Sequence, residues 1–502
     1  MLERALDEGH LPFFKRLLGP GGHRVHPMTV GMPTSTPAFQ MAAMYGVRPD
    51  IPGFHYHDKR RGTDVHFPRA GHAALVEATQ AEGRRGILRG GSVYGCVFTG
   101  GAENDLFSFA KLKRPSSRGL LRALSAFVIV GWVVWKSVAL TLAQLAKALL
   151  HVLTHPRGAG QHWQRVMIRI GISVWVRELF TGSVARDLYD GVPAIYVNYL
   201  DYDVAAHAFG PHHRAALRSL RYVDSSIRQL RRVLRRVPEH QYDLFILSDH
   251  GQAPCTPYSA LTGGARFERR LFDEFLDPAS AGQPAAATGR QPGYTHGFVG
   301  YRIGDRGAFG RVMHYVDRAF EKGLEQREAY ERRGVRVISA GPNAFVYVTD
   351  TPEPLTIDLF EKRFPGVAAD ISCSPGVGFV LARSEQGPVC FWRGARYQLG
   401  RDDPGPFAGR EDRDLILSDV ADLVAMPSAG DLVIYGTDAP EGHVSYIPEV
   451  GGHAGPSAEE FHTFIVAHSR ARVPTITHPV QLYPLFSAYQ DSGHEPAHDR
   501  EL

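Results

Sequence analysis

Two apolar runs in the middle of the chain predict buried strands. The segments PAIYVNYLD (193–201) and YDLFILSD (242–249) are rich in β-branched and aromatic residues and have the length of strands rather than helices. Between them, apolar residues recur at three- and four-residue spacing while arginines fill the other side, which predicts an amphipathic helix with a solvated basic face. The apolar positions of this helix are Leu217, Leu220, Val223, Ile227, Leu230 and Leu234. Strand, helix and strand in this order predict a βαβ unit with parallel strands and a right-handed crossover.

Shorter patterns extend this α/β outline along the rest of the chain. Residues 27–50 predict a turn followed by a short helix, and the small, unpatterned residues of 278–293 predict a surface loop. Alternating runs predict a small β-rich subdomain at 335–400, after which GDLVIYG (430–436) returns the chain to the main fold. The opening LERALDEGHLPFFKRLL is typical of an amphipathic helix and not of a secretory signal, so we expect a cytoplasmic or membrane-associated protein.

The stretch 123–153 has the most unusual pattern, because it is nearly long enough to span a bilayer. Two lysines and a glutamine interrupt it, and a single crossing would place the two halves of the candidate site described below on opposite sides of the membrane. We therefore predict a helical insertion at 105–180, for which two arrangements stay open. Either 111–153 lies on an anionic membrane surface, or the helices pack on their own domain or in an oligomer. The basic residues that would face the lipid are Lys111, Lys113, Arg114, Arg118 and Arg122.

Composition narrows the chemistry more than the fold. The 502 residues suit a large α/β enzyme, and a formal net charge of +4 is too small to favour binding of a nucleic-acid duplex. The four cysteines, Cys96, Cys255, Cys373 and Cys390, lie far apart and form no C-x-x-C pair. Neither a disulfide framework nor a thiolate zinc site is expected, so the chemistry must come from carboxylate, imidazole and hydroxyl groups.

Three histidine-containing motifs supply such groups. Asp203 and His207 lie four residues apart just past the first predicted strand, so a helical turn would put a carboxylate and an imidazole on one face. Asp249 and His250 end the second strand and meet a glycine, at the edge of a sheet where ligands bind in α/β folds. His453 stands among glycines that allow the backbone to turn sharply. Oxygen and nitrogen ligands of this kind suit Zn²⁺ or a similar divalent ion.

The order of these motifs resembles that of the type I phosphodiesterase/nucleotide pyrophosphatase family, within the alkaline phosphatase superfamily. That family shows D-x-x-G-H-x-x-G-P, then S-D-H-G, then G-x-H-G. This chain has DVAAHAFGP at 203–211, SDHG at 248–251 and GHAG at 452–455. The family's nucleophile motif resembles P-T-x-T-F-P, and the corresponding segment here is PTSTP at 33–37. The resemblance implies an α/β fold with a mostly parallel central sheet and helices on both faces, to which the helical insertion and the β-rich subdomain are added.

The same resemblance implies two divalent metal ions, zinc or manganese. The ligand sets would be Asp203, His207 and His453 for one ion, and Asp249, His250 and the Thr36 oxygen for the other. Thr36 would also be the nucleophile and would form a phosphothreonine. Ser35 is the alternative nucleophile, because the family's phenylalanine after the nucleophile is absent here.

Two features of the family are missing from their expected places. The family supplies a further aspartate ligand at the end of a first strand, but here Asp7 lies inside the opening helix and no strand precedes it. The family also contacts phosphate through an asparagine in an F-N pair, for which Phe54-His55 is the nearest match, so we assign that role to His55. We therefore expect 1–104 and 181–502 to form a catalytic domain that lacks this first strand.

These motifs predict a metal-dependent phosphoric ester hydrolase of the phosphodiesterase or nucleotide pyrophosphatase type. Two metal ions about 4 Å apart would clamp the attacking and leaving oxygens, and metal coordination would activate Thr36. Sulfatases of the same fold need a C-x-P-S-R nucleophile, which none of the cysteines provides. Two alternatives stay open: a phosphomonoesterase or phosphomutase of the same superfamily, and a catalytically degenerate relative that binds a phosphorylated ligand or a membrane.

Overall fold

The computed structural model describes six long ranges of the chain. These are residues 1–19, 22–67, 69–106, 175–280, 330–400 and 405–490, with positions 135, 138, 141, 142, 286 and 287 between them. Most of the predicted insertion and most of the predicted loop at 278–293 lie outside these residues, as do the basic residues of 111–122.

The described ranges contain both helices and strands. The helices are α1 (Leu2–Asp7), α2 (Pro12–Leu17), α3 (Thr36–Tyr45), α4 (Ala70–Gln80), α5 (Arg177–Tyr189), α6 (Asp201–Phe209), α7 (Arg214–Leu234), α8 (Tyr258–Leu261), α9 (Phe267–Leu271), α10 (Ile357–Arg363), α11 (Val367–Ser372), α12 (Arg413–Ala425), α13 (Ala458–Phe461) and α14 (Leu482–Ser487). The strands before residue 280 are β1 (His23–Thr29), β2 (His55–Asp58), β3 (Thr63–His66), β4 (Ser92–Tyr94), β5 (Asn104–Leu106), β6 (Ile195–Val197), β7 (Ile246–Leu247), β8 (Ala253–Pro254) and β9 (Thr256–Pro257). The later strands are β10 (Ala286–Ala287), β11 (Tyr330–Arg332), β12 (Val335–Ser339), β13 (Asn343–Val348), β14 (Phe379–Ser384), β15 (Gly387–Trp392), β16 (Ala395–Gln398), β17 (Leu432–Tyr435), β18 (Val444–Ser445), β19 (Gly451–Gly452) and β20 (His462–His468).

Several local predictions are confirmed. The predicted amphipathic helix is α7, which buries Leu217, Ile227 and Leu230. Its one acidic residue, Asp224, is buried and accepts hydrogen bonds from the backbone N–H groups of Phe13 and Phe14 at 3.0 and 2.8 Å. The N–H groups in the first turn of α2 have no acceptor within the helix, and Asp224 supplies one. These bonds therefore hold α2 against α7. The turn and short helix predicted at 27–50 include α3.

The expectation of one mostly parallel central sheet is wrong for the described strands. They form a three-stranded sheet in the order β1-β20-β7, another in the order β5-β4-β6, an eight-stranded sheet and three two-stranded sheets. Only β5-β4-β6, with the short pair β9 and β18, is parallel, whereas β20 runs antiparallel to both β1 and β7. Apolar runs indicate that a strand is buried, but they do not indicate its direction, and β20 comes from the far end of the chain.

The two strands of the predicted βαβ unit do not pair with each other. Each of them, β6 and β7, is an edge strand of its own three-stranded sheet. A cavity of about 1850 Å³ lies between the two strands, lined by residues 193–200 on one side and 240–252 on the other. The helices that join the strands form as predicted, so the pairing is the part of the βαβ prediction that fails. The cavity reaches Thr36, Asp203, Asp249 and His250.

The β-rich part of the chain is larger than 335–400. Its sheet has the order β10-β11-β12-β13-β17-β14-β15-β16 and is antiparallel throughout. Strand β17, from the GDLVIYG segment, lies between β13 and β14 and is wholly buried. The prediction that this segment returns the chain to the main fold is therefore wrong. The segment completes this sheet, because β13 and β14 both need a partner on their inner edges.

Candidate metal centre

The α6 helix places the first pair of predicted ligands. Asp203 and His207 lie one turn apart on α6, with Asp203 Oδ1 3.4 Å from His207 Nε2. A hydrogen bond joins the start of α5 to the start of α6, because the buried Arg177 guanidinium donates to Asp201 Oδ1 at 2.8 Å. The predicted four-residue spacing thus does bring a carboxylate oxygen and an imidazole nitrogen together.

The end of β7 places the second pair. His250 Nδ1 donates to the carbonyl of Gly251 at 3.0 Å, which leaves the Nε2 lone pair directed elsewhere. That atom lies 3.0 Å from Thr36 Oγ1 and 3.9 Å from Asp249 Oδ2. The His250 ring is therefore oriented by its own loop toward the hydroxyl of the predicted nucleophile.

The nucleophile loop and the His453 loop are joined through Thr34. The Thr34 carbonyl accepts a hydrogen bond from His453 Nδ1 at 2.9 Å. The Thr34 hydroxyl accepts from the Ala454 N–H at 3.0 Å and donates to the Gly455 carbonyl at 2.9 Å. These bonds fix the His453 ring and turn its Nε2 toward Asp203 Oδ1, which is 3.7 Å away.

The two candidate nucleophiles, Thr36 and Ser35, have different surroundings. Thr36 is the first residue of α3, is half-buried and meets His250. Ser35 is buried, and within the ranges given above its hydroxyl has no hydrogen-bond partner. Of the two hydroxyls, only that of Thr36 is in contact with a predicted metal ligand.

The separations between these atoms fit a divalent ion. Ligand atoms about 2.0–2.2 Å from a tetrahedral Zn²⁺ lie roughly 3.4 Å from each other. Asp203 Oδ1 lies at 3.4 Å from His207 Nε2 and 3.7 Å from His453 Nε2. The rings of His250 and His453 stack at 3.7 Å, and ligand atoms of Asp203, His250 and His453 all lie within 4.8 Å of one another. The predicted ligands therefore form one compact group, in which His250 adjoins both Thr36 and His453.

The electrostatics of the group favour a bound cation. Burial opposes ionisation of Asp203, but the His207, His453 and His250 imidazoles hold its pKa below the usual range. Burial and then the neighbouring His250 hold the pKa of His453 well below its usual range, so this imidazole is neutral, as a metal ligand must be. Burial lowers the pKa of His207, but Asp203 and Glu449 raise it well above the usual range. The two carboxylates that stabilise a proton on His207 would equally stabilise a cation bound to it.

Sequence reasoning missed two residues of this centre. Glu449 is buried, and its Oε2 accepts from His207 Nδ1 at 2.8 Å, where the Gly451 carbonyl lies at 2.9 Å. Gln252 Nε2 donates to Asp203 Oδ1 at 2.6 Å. Both residues lie in the segments that carry ligands, Glu449 four residues before His453 and Gln252 two residues after His250. Their closeness in sequence to predicted ligands is the signal that could have identified them.

One other assignment stays a prediction, and one expected ligand stays unassigned. His55 begins β2 and is buried, with its ring centre 5.0 Å from that of His66. The contacts described above, which join Thr36 to the aspartates and histidines, do not include His55. Asp7 is the last residue of α1, as expected from its helical pattern, and the same contacts do not include it.

Comparisons with known proteins indicate the family of the chain. A sequence model described as type I phosphodiesterase/nucleotide pyrophosphatase matches residues 1–277, while no curated protein matches the chain. Phosphonoacetate hydrolase from Sinorhizobium meliloti 1021, solved with phosphonoformate, is 13% identical at a TM-score of 0.47, over 97% of this chain and 92% of that one. Murine ectonucleotide pyrophosphatase/phosphodiesterase 5 is 11% identical at a TM-score of 0.45, over 96% and 90%. The family match covers more than half of the 502 residues, and the chain therefore belongs to the type I phosphodiesterase/nucleotide pyrophosphatase family.

Proposed function

We propose that the protein hydrolyses phosphoric diesters or nucleotide pyrophosphates through a phosphothreonine on Thr36, with divalent metal ions bound beside it. Membership of the family supports a phosphoric ester hydrolase in general terms. The observation that carries the finer proposal is the contact of 3.0 Å between Thr36 Oγ1 and His250 Nε2. This contact joins a hydroxyl nucleophile to a group of aspartates and histidines with metal-ligand spacing.

The family resemblance implies two ligand sets, although the group of ligand atoms within 4.8 Å of one another takes Asp203 and His453 from one set and His250 from the other. Asp203, His207 and His453 would hold one ion, and Asp249, His250 and Thr36 would hold the other. Zn²⁺ suits this mixture of imidazole and carboxylate ligands best, and Mn²⁺ is the alternative. When bound, such ions lower the pKa of the threonine hydroxyl and neutralise the charge that develops on the phosphoryl oxygens.

The position of Thr36 at the start of α3 suits an attack on phosphorus. Thr36 Oγ1 forms a bond to phosphorus while the bond to the leaving-group oxygen breaks. The threonine proton passes to solvent water, and the departing oxygen takes a proton from water. The first N–H groups of the ten-residue helix α3 have no acceptor within the helix, so they and the helix dipole favour a phosphate at this place. Water then attacks the phosphothreonine, restores the hydroxyl and releases the phosphoryl product.

The remaining residues position these groups. Glu449 and the Gly451 carbonyl fix the ring of His207, and Thr34 fixes the ring of His453. Gln252 holds Asp203 Oδ1 by a hydrogen bond of 2.6 Å. A site held from three loops in this way keeps its ligand atoms close together before any substrate binds, which reduces the cost of reorganisation during the reaction.

The test is activity of the full chain on a generic aryl phosphodiester after loading with Zn²⁺ or Mn²⁺. We expect Thr36→Ala and Asp249→Asn to lose at least about a hundredfold in kcat, since each removes a group needed in the transition state. Ser35→Ala is the matched control and should keep most of the activity. Full activity in both Thr36→Ala and Asp249→Asn would overturn the proposal.

Quenching a reaction in acid and mapping phosphopeptides tests the intermediate directly. Phosphate should be found on the peptide that contains Thr36 in the parent protein and be absent from the Thr36→Ala variant. A phosphate on Ser35 instead would assign the nucleophile to that residue. A His55→Asn variant addresses the remaining assignment, because an amide restores the family's donor and should retain or raise kcat/KM.

A further inference from the structure

Four exposed apolar side chains come from the part of the chain that precedes α5. Trp135, Val138 and Leu142 are helical and stand at three- and four-residue spacing, so they share one helix face. They are 63%, 42% and 62% exposed. Trp175 joins them, because its indole N–H donates to Thr141 Oγ1 at 3.0 Å, and it is 37% exposed. We call Trp135, Val138, Leu142 and Trp175 the tryptophan surface.

The tryptophan surface differs from the other exposed apolar side chains in the described ranges. Val25, Leu75 and Leu359 are also exposed, but they lie on separate elements, β1, α4 and α10. Single apolar side chains on a surface need no explanation, whereas two tryptophans beside a leucine and a valine form the kind of patch that marks an interaction site.

The charge of the surrounding sequence indicates the partner. Between Asp105 and Glu178 the chain has no acidic residue, and residues 106–176 contain ten lysines and arginines. Because the formal net charge of the whole protein is +4, the rest of the chain carries a formal charge of −6. Four of the five tryptophans of the protein also lie in 106–176. This combination of tryptophan and positive charge complements an anionic lipid surface, where indole rings lie at headgroup level and basic residues face the phosphates.

The metal centre limits how this region can meet a bilayer. Thr36 precedes the region and His250 follows it, yet their side chains are 3.0 Å apart. An odd number of membrane crossings between them is therefore excluded. Within the ranges that the structure describes, no helix has both the length and the apolar character that a bilayer crossing requires. Contact of this region with one side of a bilayer is compatible with the distance between Thr36 and His250.

We propose that the tryptophan surface docks on the surface of an anionic phospholipid bilayer, with its apolar side chains at headgroup depth. The surface is linked directly to the candidate centre. Trp175 lies two residues before Arg177, and Arg177 holds Asp201, the first residue of the helix that carries Asp203 and His207. The inference rests on exposure and charge and does not depend on the proposed catalysis.

The test is flotation of the full chain with two kinds of vesicle, phosphatidylcholine alone and phosphatidylcholine mixed with phosphatidylglycerol. We expect binding to the anionic vesicles to be at least about tenfold stronger and to weaken with added salt. Tryptophan fluorescence should shift to shorter wavelength on binding, because most of the tryptophans lie in this region. Equal binding to both vesicles, or none to the anionic ones, would refute the proposal.

A pair of matched variants tests the surface itself. Trp135→Ser with Leu142→Ser should lose about tenfold or more in vesicle affinity, because it removes the most exposed apolar groups. The control is Leu75→Ser with Leu359→Ser, which removes two apolar side chains of 39% and 46% exposure elsewhere and should bind as the parent does. Circular dichroism and phosphodiester hydrolysis report folding of each variant. Unchanged binding by the first pair contradicts the proposal, as does a stable dimer of the parent that the first pair dissociates.

Discussion

Replacing Glu449 by alanine should weaken metal binding without removing any metal ligand. Glu449 Oε2 accepts from His207 Nδ1 at 2.8 Å, and its Oε1 accepts from Ser445 Oγ at 2.7 Å. The variant therefore takes from His207 the charged acceptor that fixes its ring and makes its Nε2 a better donor to a cation. Loss of such an outer partner typically costs ten- to a hundredfold in metal affinity.

The structure places the expected loss at the lower end of that range. The carbonyl of Gly451 lies 2.9 Å from the same His207 nitrogen, so the ring keeps one acceptor when Glu449 is absent. We expect about a tenfold weaker affinity, or roughly 1.4 kcal/mol. Glu449→Gln keeps an acceptor but not the charge, so its affinity for Zn²⁺ should lie between that of the parent and that of the alanine variant.

The assay is calorimetric titration of Zn²⁺ into protein stripped of metal, combined with unfolding in the presence and absence of the ion. At free Zn²⁺ of about a hundred times the parent Kd, the ion should stabilise the parent by about 2.7 kcal/mol and the alanine variant by about 1.4 kcal/mol. Glu449→Ala also leaves Ser445 without its acceptor, and this lowers the stability of the variant equally with and without Zn²⁺. The difference in stability between these two conditions therefore reports metal binding alone. Glu385→Ala removes an exposed carboxylate and is the control. Parent-like Zn²⁺ affinity and kcat in Glu449→Ala would refute the assignment of Glu449 as a positioning residue.

Three further predictions concern the metal, a buried carboxyl group and a strained turn. Chelation with EDTA should abolish hydrolysis, and added Zn²⁺ or Mn²⁺ should restore it; activity that survives chelation would argue against metal dependence. Burial raises the pKa of Asp419 to about 7, against a smaller opposing effect of Arg48, so its contribution to stability falls as pH rises from about 4 to 7. Asp419→Asn should therefore stabilise the protein at pH 8 by up to about 4 kcal/mol and much less at pH 4, as measured by urea unfolding; an equal effect at both values would contradict this. Ala454 has a φ of 114°, which favours glycine, so Ala454→Gly should leave stability unchanged or raise it by about 1 kcal/mol, whereas Ala78→Gly in α4 should cost about 1 kcal/mol.

The sequence predicted the parts of the centre that depend on local spacing. Asp203 and His207 were expected on one helix face, and they lie on α6 with their ligand atoms 3.4 Å apart. The amphipathic helix α7 was predicted from its periodicity, and a short helix after a turn was predicted within 27–50, where α3 lies. Such features are determined by residues within a few turns of one another, which is the range over which a hydrophobic pattern carries information.

The parts that failed depend on pairing between distant segments. Strand β17 lies between β13 and β14, and β20 lies between β1 and β7. In both cases the middle strand is far along the chain from the two strands that it pairs with. An apolar run shows that a strand needs partners on both edges, but it does not show which segment provides them. Glu449 was missed for a related reason, because its role depends on a contact with His207, 242 residues earlier.

The central position of β20 has a consequence for synthesis of the chain on the ribosome. β1 ends at Thr29 and its partner begins at His462, 433 residues later. At about 5–20 residues per second, the partner strand is made roughly 20 to 90 s after β1. During that time the edges that β1 and β7 present to β20 are without this partner, and His453 has not yet been made. The residues of the candidate site can thus come together only after His453 and β20 have been made, and chaperones have a long period in which to act.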